Sequence, residues 1–304
     1  MPGTRVTRND KKLAGLDLSQ LRRAAHAFPV RMQTVVESPM PQVRQLHFQV
    51  DGAVPRHWHG GRRSITLFFN NLSVFFPAGE RFFIASVRAH ARCVEGDTLK
   101  QQVQAFCAQE GVHLREHSRY NRMLEQQGYP IAALERAVET LLKRAAGRAR
   151  PRWQLAVTCA LEHFTALMGH NLLSDARLLD GADAEMAALW RWHAMEETEH
   201  KAVAFDVYRQ AGGGYLERAL AMTLVTLVFW SRVIVQQLVL MRAERCLFSP
   251  REWGSLLKFL FLEPGGMRGL GRRWLDYYRP SFHPWDFDNR PLLEIWIREL
   301  GARP

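Results

Sequence analysis

From residue 63 onward, apolar positions recur three and four apart, separated by polar faces and punctuated by Gly and Pro. That period predicts amphipathic helices rather than strands. "RSITLFFNNLSVFFPAGERFFIASVRAH" reads as one long apolar helix, kinked or restarted at Pro77 and Gly79. "DTLKQQVQAFCAQEGVHLREHSRYNRMLEQQG" reads as a helix stopped at Gly128 and Pro130, followed by the amphipathic "IAALERAVETLLKRA". Pro151 opens the next helix, through "RWQLAVTCALEHFTALMGHNLL". "GADAEMAALWRWHAMEETEHKAVAFDVYRQAGGG" reads as a single helix closed by three glycines. A long apolar helix follows over 215–245, then shorter ones. No strand–helix alternation and no repeat of 20 to 50 residues is present, so the expected class is all-α, a helical bundle with additional helices.

Residues 1–62 differ. "VRQLHFQVDGAVPRHW" alternates briefly before turn signals, which predicts a small hairpin. The expected organisation is an N-terminal segment (1–62), a helical core (63–212) and C-terminal helices packed on it (213–304), together one structural domain. The opening "MPGTRVTRNDKKLAGLDLSQ" has no apolar core of the secretory kind, and the four Cys have no C-x-x-C spacing. Free thiols and a cytoplasmic location are expected.

Charge changes the picture little. The formal net charge is +11, carried by 35 Arg and six Lys that are scattered without a dense basic run. A nucleic-acid footprint needs clustering with interleaved aromatics, so nucleic acid is not an expected partner. Within 215–245, the uncharged run "ALAMTLVTLVFW" gives about 18 Å of helix, short of a bilayer core of roughly 30 Å. A core helix is expected, with a second copy of the chain (a homodimer) or a membrane surface as the alternative covers.

Candidate chemistry lies in the helix pattern. In "WRWHAMEETEH", His193, Glu197 and His200 fall within about 60° of one another at helical spacing, Glu196 flanks them and Glu199 lies well off. In "QEGVHLREH", Glu110, His113 and His117 share a face in the same way. Both helices contain Glu-x-x-His. Two other helices each bring a carboxylate in apolar surroundings, Glu80 in "FFPAGERFF" and Glu162 in "LAVTCALEHFTAL". Buried carboxylates there are costly unless neutralised. A lone Glu-x-x-His is a weak signal, since most such pairs sit on solvated faces. Two of them, interleaved with two apolar-flanked glutamates, form the di-metal carboxylate pattern of ferritin-like four-helix bundles. Four glutamates balance two divalent ions in formal charge, and neutral imidazoles complete the coordination. His117, His163 and Glu196 are expected beside the ligands; His90 and His170 are read as ordinary packing residues.

Several stretches resemble a bacterial family of predicted metal-dependent hydrolases: "LSVFFPAGERFF", "QEGVHLREHSRYN", "LEHFTAL", "WHAMEETEHKAVAFDVY" and "YYRPSFHPWD". The ligand order is also similar to that of the di-iron arylamine N-oxygenases, in which an extra His stands one turn before the last Glu-x-x-His; here His193 holds that place. The resemblance implies Glu80, Glu110, His113, Glu162, His193, Glu197 and His200 as ligands of two iron ions, with manganese or zinc as alternatives. It implies an oxygenase or oxidase that uses O₂ on an unidentified, apolar small molecule, with electrons from a separate donor protein. Hydrolysis at a dinuclear site is the alternative, and iron storage or ferroxidase activity a third reading.

Overall fold

The structure is a computed structural model that describes residues 38–50 and 52–301. The readings made for residues 1–37 lie outside these. The helices are α1 (Arg63–Arg88), α2 (Asp97–Gln126), α3 (Ile131–Arg148), α4 (Pro151–Ser174), α5 (Ala184–His200), α6 (Val203–Gln210), α7 (Tyr215–Ala243), α8 (Pro250–Leu257), α9 (Leu270–Asp276) and α10 (Arg290–Gly301). Among the described residues there is no strand, only one isolated bridge between His59 and Ala182. The protein is all-α. Helices α1, α2, α5 and α4 pack in a ring, each against the next, with α3 and α7 laid against α1 and α4.

Among the described residues the expected hairpin does not form. Residues 42–49 instead lie extended over the helices, and carboxylates satisfy the backbone that a partner strand would have bonded. Gln42 N–H donates to Glu199, Phe48 N–H to Glu116 and Gln49 N–H to Glu185.

Helix α1 is also continuous through Pro77, against the expected break. Proline at this position leaves the carbonyl four residues earlier without its N–H. That carbonyl belongs to Ser73, and Asn121 Nδ2 donates to it at 3.2 Å. A neighbouring helix thus replaces the missing bond. The "GADAEM…GGG" helix, by contrast, is two helices. Asp183 caps α5 by accepting from the Glu185 and Met186 amides. The chain then breaks at Lys201–Ala202, where no Gly or Pro marks a stop. Lys201 is buried there, its Nζ donating to Phe287 O and Asn289 Oδ1 at 2.7 Å each and lying 3.7 Å from the Trp285 ring centre. The C-terminal tail is thereby tied to the end of α5.

Helix α7 is longer than its apolar run suggested. By length and composition it is able to cross a membrane, although a third of its most apolar stretch is buried in the protein. Its inward face holds buried Arg218, Gln236 and Gln237, and its outward face exposes Leu216, Leu220, Leu227 and Ile234. The Cys residues are free; three are buried and Cys93 is exposed.

Two apolar clusters fill the ring. Along α1 one cluster takes Ile65 to Val74 and the other Phe82 to Val87; along α2 the division falls between Cys107 and Val112. On α5 and α6 it falls between Met195 and Val203. The gap is a polar layer: Glu80, Glu110 with His113, and Glu197 with His200 all sit at these divisions.

Candidate metal centre

All seven residues implied as ligands are buried, with at most 2% of their surface exposed. They converge from α1, α2, α4 and α5. Glu80, His113 and His193 form one group able to hold a metal ion, and Glu110, Glu197 and His200 a second, with ligand atoms in each within 4.8 Å of one another. Glu162 joins the second group, its Oε2 lying 3.4 Å from His200 Nε2.

Two carboxylates span both groups. Glu197 Oε1 lies 3.0 Å from His193 Nε2 and 3.5 Å from His113 Nδ1, while its Oε2 lies 3.7 Å from His200 Nε2. Glu110 does likewise, with Oε1 at 3.2 Å from His200 Nε2 and Oε2 at 4.0 Å from His113 Nδ1. Glu80 and Glu162 stand at opposite ends, one per group. Close approach of α4 to α5 is permitted by Gly169, where a Cβ would lie 2.9 Å from Ala194 O.

Each histidine is pinned through the nitrogen that faces away. His113 Nε2–H donates to Glu196 Oε2 at 3.0 Å. His200 Nδ1–H donates to Gln109 Oε1 at 3.0 Å, and Gln109 is oriented because its Nε2 donates to Glu199 and Gln42 O. The third chain is longer. Asn121 Nδ2 donates to Ser73 O and Glu135, so its Oδ1 accepts from Ser73 Oγ at 2.8 Å. Ser73 Oγ, its proton committed, accepts from His117 Nδ1 at 2.9 Å. His117 Nε2 then accepts from His193 Nδ1 at 2.6 Å, which leaves His193 Nε2 bare toward Glu197. The Ser73 carbonyl freed by Pro77 therefore helps to set the tautomer of His193.

Arg44, from the extended N-terminal strip, locks two of these supports. Its guanidinium meets Glu199 at 2.7 and 2.9 Å and Glu196 at 3.2 Å. Trp192 Nε1–H adds a bond to Glu196 at 2.8 Å. Arg44, Gln109 and Glu199 were not anticipated from sequence. Glu199 does lie off the His193 face, as expected; its partners come from elements distant in the chain. His163 also departs from expectation: it faces the tail, with Nε2 donating to Arg273 O and the ring against Tyr277, not toward the cluster.

The electrostatics are those of a metal-binding pocket. Burial, with Glu110 nearby, holds the Glu80 carboxyl well above the usual range. Burial beside Glu197 pushes Glu162 up to about 8, and burial raises Glu110. Burial would also raise Glu197, but His200 and His113 outweigh it and hold it well below. Burial lowers His193 to about 4, keeping it neutral. The surrounding carboxylates outweigh burial at His113 and His200 and raise both.

A direct test of fit is where hydrogen bonds are missing. Both oxygens of Glu80, Glu110 and Glu162, Glu197 Oε2, His113 Nδ1 and His200 Nε2 are buried without a hydrogen-bond partner. Buried polar atoms are normally satisfied. Here the orphans are the inward atoms of one cluster, and the outward atoms of the same histidines are satisfied. Hard carboxylate oxygens with imidazole nitrogens suit divalent iron, manganese or zinc.

The fold and cluster thus define an all-α protein with a candidate metal centre inside its helices. The chain belongs to the family described as predicted metal-dependent hydrolase, which it matches over residues 42–288, a span containing Arg44 and all seven cluster residues. This description agrees with the hydrolytic alternative raised from the sequence. Comparisons with curated proteins and with solved structures return no match.

Proposed function

We propose that the protein is a dinuclear metal enzyme of ferritin-like architecture that uses O₂ to oxidise an apolar small molecule. Glu80, His113 and His193 would hold one ion and Glu162 and His200 the other, with Glu110 and Glu197 within reach of both groups. Two iron ions bound there would supply electrons for O₂ reduction and the oxidising equivalents for the substrate. The observation that carries the reading is the setting of the cluster. It is buried, carboxylate-rich, and faces an apolar cavity of about 70 Å³ against His193 and Glu197, walled by Phe68, Phe76, Met168 and Trp190.

The chain's own residues do three things there. The outward hydrogen bonds fix each imidazole before a metal arrives. The four glutamates would keep formal charge balanced against two divalent ions. The aromatic wall excludes water from the reacting side. Electrons come from a separate donor protein, since the sequence has no dinucleotide or flavin motif.

The family description favours a second reading, metal-assisted hydrolysis. Hydrolysis needs water and polar groups to stabilise developing charge. The cavity wall on the centre's open side is almost wholly apolar, which supports oxidation over hydrolysis. The test is metal analysis of anaerobically purified protein, then addition of O₂ with optical monitoring. About two iron ions per chain and O₂-dependent absorbance are expected, the absorbance and the ion beside His200 being lost in Glu162→Ala. A colourless zinc or manganese protein that cleaves model esters without O₂ would establish the hydrolytic reading instead.

A further inference from the structure

A second, larger cavity of about 240 Å³ lies between α1, α3, α4 and α7. It shares Leu72, Phe76, Thr165 and Met168 with the cavity at the metal centre. Phe76 stands between the two spaces, its ring 4.3 Å from that of His193. Gly79, also in its wall, directly precedes Glu80. The larger cavity therefore adjoins the one at the candidate centre.

Its other end reaches the surface at α7. Leu224, Val228 and Arg232 line it, four residues apart along one stripe of that helix, and the first two are 44% and 43% exposed. Arg232 is the only ionisable side chain in the lining; the remainder is almost wholly aliphatic and aromatic. Its Nε is buried and has no hydrogen-bond partner. The side chain as a whole is half-buried; a guanidinium whose inward donor lacks an acceptor suits an anion, and planar carboxylates match its fork.

We propose that this cavity binds an amphiphilic carboxylate. Arg232 holds the acidic head beside α7, and the hydrocarbon body extends past Phe76 toward the metal centre. This assignment deepens the oxidative reading by naming its substrate class: a hydrophobic acid, oxidised at a carbon remote from its carboxylate.

The test uses the full-length protein and titration calorimetry with decanoate, 1-decanol and decylammonium, which share a tail and differ in head. Decanoate is expected to bind roughly tenfold to a hundredfold more tightly than decanol, with decylammonium weaker still. Arg232→Gln should bring decanoate down to the level of decanol and leave decanol unchanged. Val157→Phe, which fills the wall, should weaken both; circular dichroism checks that each variant stays folded. The proposal is overturned if decanoate binds no more tightly than decanol, if Arg232→Gln leaves decanoate affinity intact, or if neither ligand binds. Metal content, measured on the same preparations, separates the two claims. Head-selective binding by a protein that takes up no metal would sink the enzymatic reading alone. A metal-loaded protein blind to decanoate would sink the cavity assignment alone.

Discussion

Replacing Arg44 by Met should damage both stability and metal binding, although Arg44 touches neither implied metal position. Its guanidinium is the cation facing two buried carboxylates, Glu199 and Glu196, which are 2% and 0% exposed. Burial alone would lower the guanidinium pKa, yet these carboxylates outweigh it and raise it. Removing one partner of a buried ion pair costs about 3–5 kcal/mol. Here Glu199 keeps Gln109 and the Gln42 amide, and Glu196 keeps Trp192 and His113, so the loss belongs at the lower end, about 3 kcal/mol. Glu196 orients His113 directly and Glu199 orients His200 through Gln109. Losing such supports lowers metal affinity by about 10- to 100-fold, or roughly 1.4–2.7 kcal/mol. Urea unfolding of metal-free protein measures the first effect, and chelator competition the second. Arg44→Lys, which keeps charge without the planar fork, should fall between wild type and Arg44→Met. The reasoning fails if Arg44→Met is destabilised as expected yet binds both metals within about twofold of wild type.

Three further outcomes are expected. His193→Phe should weaken the ion held with Glu80 and His113 and spare the one beside Glu162 and His200, so titration should resolve one tight and one weak ion; equal loss of both would contradict the division into two groups. Metal affinity should rise with pH between about 6 and 8, because ions must displace protons from carboxyls whose pKa values lie high, Glu162 at about 8 among them. The same shift means that Glu162 keeps its proton in the folded metal-free protein where the unfolded chain loses it, so the stability that this one group contributes should fall as pH rises from about 4.5 to 8; urea titrations in which wild type and Glu162→Gln show the same pH dependence across that window, or a flat chelator-competition profile, would refute the assignment. Helix α7 should not cross a bilayer, because buried Arg218, Gln236 and Gln237 commit one face to the protein; recovery only in a carbonate-resistant membrane fraction would refute this.

The helix period of the apolar residues was enough to assign the all-α class, and the paired Glu-x-x-His motifs with Glu80 and Glu162 were enough to nominate the cluster. Both are local: spacing along one helix decides which side chains share a face. What lay beyond the sequence depended on contacts between distant segments. The extended 42–49 strip looks like a hairpin until the carboxylates of α2 and α5 take its amides. Pro77 looks like a helix break until Asn121, from another helix, bonds the carbonyl it frees. Nothing local marks the stop at Lys201, whose ammonium finds acceptors in a tail more than 80 residues away. Arg44 is one of 35 arginines by composition, and only the folded chain sets it against Glu196 and Glu199. Periodicity specifies which face of a helix is buried, but hydrogen-bond partners across the core are chosen by packing, and packing exists only once the helices have met.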